Sequence, residues 1–373
     1  MNALAIYDKL TAGRSRFVRV DELCARAAEA EPGLLPARQE LEAEANLPLR
    51  DKKGLEKAQG EFLSRVLADR ACGAHLCHAM LLPRQESIAL LPGFEDTGQA
   101  DLNGARIERH GKASIVTMRN PRYLNAEDES TLDGMETAVD LALLDPKSEV
   151  CVLRGGPVEH PKYAGRRLFG AGINLTHLYQ GKIRFLWYLI RDLGYVNKIY
   201  RGLAAPDCSP EERTTEKLWI AAVEGFAIGG HCQVLLTMDY TLAAHDAYLT
   251  LPARKEGIIP GAANLRLPRF VGDRIARQAI LAERRIDCAS AEGRMICDEI
   301  VPAQGMDEAI SKIVDKLTGS GVVSAAGNRR AFRAGEEPLD LFRRYMAVYA
   351  REQAYCHFSP ALIANLEKNW KIK

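Results

Sequence analysis

No stretch of the chain is apolar for long enough to cross a bilayer, because the longest apolar runs are broken by Glu224 or Asp239. The opening residues, MNALAIYDKLTAGRSR, lack the apolar segment and small-residue cleavage site of a secretory signal. A cytoplasmic protein with no membrane partner is therefore expected. An excess of either charge is missing too: 50 Lys+Arg stand against 49 Asp+Glu, which leaves +1. That balance excludes a nucleic-acid partner held by bulk charge, and it excludes an acidic solvating tail. There is no Gly-x-Gly-x-x-Gly after a strand and no Gly-Lys-Ser/Thr phosphate loop, so the common nucleotide signatures are absent. No Gly-x-Ser-x-Gly elbow occurs, and the eight histidines form no His-Glu-x-x-His or comparable metal pair. Internal repeats and low-complexity tracts are absent as well.

Hydrophobic residues make up 47% of the 373 residues, enough for a sizeable core, and the length suits one main domain with an appendage. The nine cysteines are odd in number, scattered, and mostly in apolar surroundings, which fits reduced buried thiols rather than a disulfide framework. Cys72, His75, Cys77 and His78 lie close together. On one helical stretch, four such ligands point around the axis and cannot converge on a tetrahedral metal, so no metal site is expected there.

Residues 1–95 read as helical, with apolar residues at three-to-four spacing in 34–47 and 55–82. The stretch LPGFEDTGQADLNGAR joins this extension to a core at 102–305 of different texture. Short β-branched or apolar runs at 113–118, 150–153, 219–223 and 240–243 read as strands, and 125–144 and 230–238 as helices. Strands alternating with helices define an α/β class. Residues 156–172 are rich in Pro, Gly and Arg, and the polar connection 202–216 reads as a lid over a site. Residues 306–373 return to a helical pattern.

Two glycine turns, each before a helical stretch, are the strongest chemical signals. They are Phe169-Gly170-Ala171-Gly172-Ile173-Asn174-Leu175 and Val223-Glu224-Gly225-Phe226-Ala227-Ile228-Gly229-Gly230-His231-Cys232-Gln233. A glycine turn opening a helix exposes backbone N–H groups, and two aimed at one point would stabilise an oxyanion. Either turn alone is also an ordinary packing turn.

Taken together, AAVEGFAIGGHCQ, MDYTLAA, LTLPARKEGIIPGAAN and LPRFVGDRIARQAILAERRIDCASAEGRMICDEIVP resemble the crotonase (enoyl-CoA hydratase/isomerase) superfamily over roughly residues 102–305. Asn120-Pro121-Arg122-Tyr123-Leu124-Asn125-Ala126 extends the likeness. The resemblance implies a spiral of ββα units, here with a helical N-terminal extension and C-terminal helices. It also implies a homotrimer or dimer of trimers, an acyl-CoA substrate, and a thioester enolate held by the amides of Ile173 and Gly230.

Hydratases of this family carry glutamates where this chain has Gln233 and Ala253. Neither residue titrates, so water addition should be lost while the oxyanion hole survives. The FGAGINLTHLYQGKIRFLWYLIRDLG stretch and the GGHCQ turn resemble a subgroup of cofactor-independent arylacetyl-CoA dioxygenases of glycopeptide-antibiotic biosynthesis. The implied reaction turns 3,5-dihydroxyphenylacetyl-CoA and O₂ into 3,5-dihydroxyphenylglyoxylate and CoA, without metal or flavin. Ala253, Ile173 and Ile258 would then line a dry oxygen pocket.

Other candidates are open to two readings. Gln233 contacts substrate or peroxide, or bonds neighbouring backbone. Arg191, on an apolar helix, is paired with Asp192 or a glutamate, or binds ring hydroxyls. Glu127 accepts a substrate hydroxyl, or favours a helix N-terminus. His160 reaches the substrate from an insertion, or is a solvated loop residue. Arg122, Arg166 and Arg167 meet CoA phosphates, or are surface arginines. Two functional alternatives stand beside the dioxygenase: a family hydrolase or isomerase using another base, and an inactive CoA-binding scaffold.

Overall fold

A computed structural model describes residues 3–319 and 321–370. Its main sheet has seven strands. β1 (Gln99–Leu102), β2 (Ala105–His110) and β3 (Ala113–Met118) form an antiparallel meander. β4 (Val150–Gly155), β5 (Leu218–Val223), β7 (Tyr240–Ala244) and β10 (Glu299–Val301) continue from β3 in parallel. A second, three-stranded sheet holds β6 (Phe226–Ile228), β8 (Tyr248–Thr250) and β9 (Ile286–Asp287). The chain steps from β5 to β6 and then into helix Gly230–Leu235. It steps again from β7 to β8 and into helix Ala253–Glu256. Each of these two turns places one strand in each sheet and then a helix, as ββα units do.

The parallel strands explain their own sequences. β4 is buried at every residue and β5 at all but Leu218, so 150–153 and 218–223 read as apolar runs rather than alternating ones, and Arg154 at the end of β4 is buried against Glu224 and Asp307. Strand β1 and the first two residues of β2 fall in the stretch read as a connection, because QADL is an exposed to half-buried edge strand and ARIERH alternates apolar with polar residues. The expected helix over 55–82 is two helices, Lys57–Ala68 and Arg70–Leu81. Asp69 divides them, its Oδ1 accepting from the backbone N–H groups of Ala71 (3.0 Å) and Cys72 (2.8 Å), as an N-cap does.

The helical ends share one hydrophobic core with the sheet. Helix Leu339–His357 lies along Lys57–Ala68, where Gly60 allows the approach: a Cβ there would sit 2.5 Å from the Ala354 Cβ. Buried ion pairs add to the joint. Lys198 Nζ contacts Glu136 and Asp140 at 2.7 Å each, and Arg19 of the extension reaches Glu136 at 2.7 Å. Glu337 receives Arg266 at 2.9 Å and Arg201 at 3.1 Å.

The connection 202–216 does not cover a site, and the lid expectation is corrected here. Leu203 pairs with Thr215, His78 Nε2 lies 2.8 Å from the Ala205 carbonyl, and Glu216 is bound by Arg329 and Arg333. Its polarity serves these contacts.

Candidate functional site

The two glycine turns meet. Gly172 has φ +77°, and a Cβ there would lie 2.8 Å from the Ile228 carbonyl and 3.1 Å from the Gly230 nitrogen, so only glycine lets the loops touch. Around this junction the backbone N–H groups are committed. Gly170 donates to Phe226 O (3.1 Å), Gly172 to His231 Nδ1 (2.9 Å), Glu127 to Gly172 O (2.7 Å) and Asn174 to Glu127 O (2.8 Å). Two amides differ. Among the described residues, neither the Ile173 N–H nor the Gly230 N–H has an acceptor. Gly230 opens helix Gly230–Leu235, whose first N–H groups have no partner inside the helix.

Behind the junction lies a buried polar cluster centred on Arg191, on helix Phe185–Leu193. Its Nε and Nη2 donate to the two Glu127 carboxylate oxygens at 2.9 and 2.8 Å. Nη1 donates to Asp192 Oδ1 (2.7 Å) and Gln233 Oε1 (2.5 Å), and Nη2 also donates to Gly230 O (2.8 Å). A guanidinium has five N–H donors, and here all five have protein acceptors. Burial disfavours the Glu127 charge, but the Arg191 guanidinium and the Tyr195 hydroxyl outweigh it and hold the carboxyl below its usual range. His231 is fully buried; burial, with Arg191 against it, depresses its pKa to about 4 despite Glu127. Its neutral ring accepts from Gly172 at Nδ1 and so carries its proton on Nε2.

A cavity of about 30 Å³ adjoins both turns. Ile173, Gly229, Gly230, Gln233 and Ile258 line it together with Trp187, Arg191 and Tyr349. As it stands the cavity has room for a water or a diatomic molecule. Ala253 is buried and begins the helix that forms one wall. Gln233 is held at both ends, its Nε2 donating to Asp192 Oδ1 at 2.9 Å.

The dry oxygen pocket expected from Ala253, Ile173 and Ile258 is corrected: Ala253 is not among the residues lining the cavity, and charged side chains are. Asp192 and Glu256 both line it. Glu256 is 4% exposed, and among the described residues its carboxyl has no hydrogen-bond or ion-pair partner. Burial, only partly offset by Lys255, pushes its pKa up to about 7. Ala253 stands where the hydratase glutamate would be; Glu256 follows three residues later, one helical turn on. The short helix in ARKE is the signal that would have found it.

His160 and Arg122 are not brought to this cavity. His160 is exposed on the insertion, where it accepts from Lys162 N at 3.2 Å and packs near Tyr163. Arg122 is exposed over the Tyr123 ring. Arg166 pairs with Asp246 at 3.1 Å, and Arg167 donates to Gly155 O at 3.2 Å. No group of three or more His, Cys, Asp or Glu among the described residues is arranged to hold a metal ion. No described helix is long and apolar enough to cross a membrane.

Residues 108–348 match the model of the enoyl-CoA hydratase/isomerase family, and the chain belongs to that family as an enzyme. Its fold is shared with an enoyl-CoA hydratase from Mycobacterium avium subsp. paratuberculosis K-10, with a TM-score of 0.59 and 21% identity over 73% of this chain and 97% of that one. Within the family, it is 48% identical over 95% of its length to the (3,5-dihydroxyphenyl)acetyl-CoA 1,2-dioxygenase of Amycolatopsis orientalis, of which it covers 81%. The short-chain-enoyl-CoA hydratase of Clostridium acetobutylicum is 27% identical over 63% of this chain and 83% of that protein.

Proposed function

We propose that this protein is a cofactor-independent dioxygenase converting 3,5-dihydroxyphenylacetyl-CoA and O₂ into 3,5-dihydroxyphenylglyoxylate and CoA, in glycopeptide-antibiotic biosynthesis. The observation that carries the reading is the pair of acceptor-free amides, Ile173 and Gly230, whose residues line one small cavity together with Gln233, which stands in place of a hydratase carboxylate. The likeness to the Amycolatopsis orientalis dioxygenase over nearly the whole chain supports the same substrate.

The thioester carbonyl oxygen sits between the two amides, which stabilise the negative charge as the α-carbon loses a proton. Developing charge is met by fixed donors that need no reorganisation. The dihydroxyphenyl ring delocalises the carbanion, so the substrate itself can reduce O₂. Ile173 and Ile258, with Ala253 behind them, give dioxygen an apolar wall. The ring hydroxyls join the Glu127–Arg191–Gln233–Asp192 network. Because every Arg191 N–H is already used, a hydroxyl donates to a carboxylate there or replaces one of the present partners. CoA remains outside, near surface arginines such as Arg122, and the working assembly is a homotrimer or dimer of trimers.

Oxygen uptake and free thiol, measured together with this thioester, test the reading. Equimolar O₂ consumption and thiol release, unchanged by chelators and without added flavin, are expected. The unpartnered Glu256 gives substance to a second reading, a thioester hydrolase or isomerase. Thiol release or isomerisation without O₂ uptake would favour it, and CoA binding without turnover would point to an inactive scaffold.

A further inference from the structure

The dioxygenase reaction breaks two C–H bonds at one carbon, yet the oxyanion hole contains only donors. Something in the cavity must accept protons. Arg191 is committed through all five donors, Gln233 does not titrate, and Asp192 accepts from both of these. His231 lies behind the turn, with Nδ1 occupied by the Gly172 N–H. The phenols Tyr188 and Tyr349 are buried, which holds them protonated. Glu256 remains. Its carboxyl lines the cavity with Ile173 and Gly230, and Oε2 lies 4.0 Å from where a Cβ on Gly229 would stand.

We propose that Glu256 is the proton acceptor for the substrate's α-carbon, an assignment that rests on the dioxygenase reading. In the first step an α C–H bond breaks, its proton goes to the Glu256 carboxylate, and its electron pair becomes the enolate held by the Ile173 and Gly230 amides. The enolate reduces O₂ and joins it, forming a Cα–O bond and a peroxide anion. The peroxide attacks the thioester carbon, and the C–S bond breaks. The departing thiolate takes the proton from Glu256 and leaves as CoA. The freed carboxylate then takes the second α proton. That C–H pair forms the ketone as the O–O bond breaks, leaving the arylglyoxylate carboxylate. One thioester and one O₂ give one glyoxylate, one CoA and one proton. A carboxyl with an affinity for protons near neutrality can both accept and release them in one cycle. Lys255, on the same helix, is the charge that bears on it; Arg191 and Asp192 across the cavity are paired with each other.

The test separates this step from oxygenation. Wild type, Glu256→Gln and Glu256→Asp are incubated with 3,5-dihydroxyphenylacetyl-CoA in D₂O without oxygen, and deuterium at the α-carbon is followed by NMR. Glu256→Gln should exchange roughly 10²–10⁴-fold more slowly, with Glu256→Asp recovering part of the rate. Wild-type exchange should rise with pH through an ionisation near 7, and the Gln variant should lack that limb. Exchange in Glu256→Gln at the wild-type rate would overturn the assignment. So would a wild-type rate flat across pH 5.5–8.5, which decides the matter even if the Gln variant fails to fold. Wild-type exchange that depends on Glu256, without O₂ uptake in air, would sink the dioxygenase reading and keep the acceptor. O₂ uptake unaffected by Glu256→Gln would do the reverse.

Discussion

A side chain at position 230 has nowhere to go: its Cβ would lie 3.0 Å from Glu127 Oε2 and 3.1 Å from Arg191 Nη2. Gly230→Val should displace the amide or break the ion pair behind it. Loss of one oxyanion donor costs roughly 10²–10³-fold in kcat, and at least that loss is expected here. Ile173→Val keeps its amide and should cost far less; steady-state O₂ uptake on both variants checks the contrast. Glu256 makes a second prediction, on stability. Its folded pKa is raised, so its penalty is absent below the unfolded value near 4.5, grows as pH rises through about 7, and then levels off. A shift of that size corresponds to about 3 kcal/mol. Glu256→Gln should therefore be more stable than wild type at pH 8, with the difference fading by pH 4. Urea unfolding at both pH values measures it, and equal stabilities at pH 8 would contradict the buried, unpartnered description.

At the scale of elements, helix Lys57–Ala68 meets helix Leu339–His357 through Gly60. Gly60→Val would push a branched side chain into Ala354 and the Ala350 carbonyl, 2.5 and 2.9 Å from the Cβ position. Overpacking of this kind costs about 1–3 kcal/mol, readable as a lowered melting temperature. Elements also show what the sequence made legible. Strand β5 and the first four residues of β4 were readable because a strand buried on both faces is apolar, and β3 because its β-branched run Ile115-Val116-Thr117 favours a strand. The glycine turns were readable because a Cβ would collide at Gly172 and Gly230. Asp69 was hidden inside an apolar periodicity that runs on through two helices, and only the capping geometry divides it. The 202–216 segment misled because polar composition does not say whether a residue faces solvent or, like Glu216, a buried arginine pair. Glu256 escaped because the family pattern directs attention to position 253, one helical turn before it. Beyond the neighbouring Asp192, the partners of Arg191 converge from two distant segments, at Glu127 and at Gly230 and Gln233, which no local pattern discloses.

At the scale of the whole molecule, the helical ends complete the site. Tyr349 of the C-terminal helix lines the cavity, Gln353 accepts from Ile259 N at 2.8 Å, and the Tyr345 hydroxyl donates to the Gly261 carbonyl. The core at 102–305 alone would leave that wall open, which is why the boundaries read from sequence do not mark separable bodies. Larger clefts, such as one of about 400 Å³ beside Tyr200, Arg269 and Phe332, adjoin neither glycine turn. The small cavity is also handed. Its donors come from the two turns, and its carboxyl from the separate helix Ala253–Glu256. The two hydrogens of the substrate's methylene group are mirror-related, and a pocket with such unlike walls must distinguish them. The arylglyoxylate product is flat at that carbon and keeps no trace of the choice. The choice can still be read from label: without oxygen in D₂O, one deuterium should enter the methylene group quickly and the second much more slowly. Equal rates for both would mean that the substrate turns over within the pocket between proton transfers.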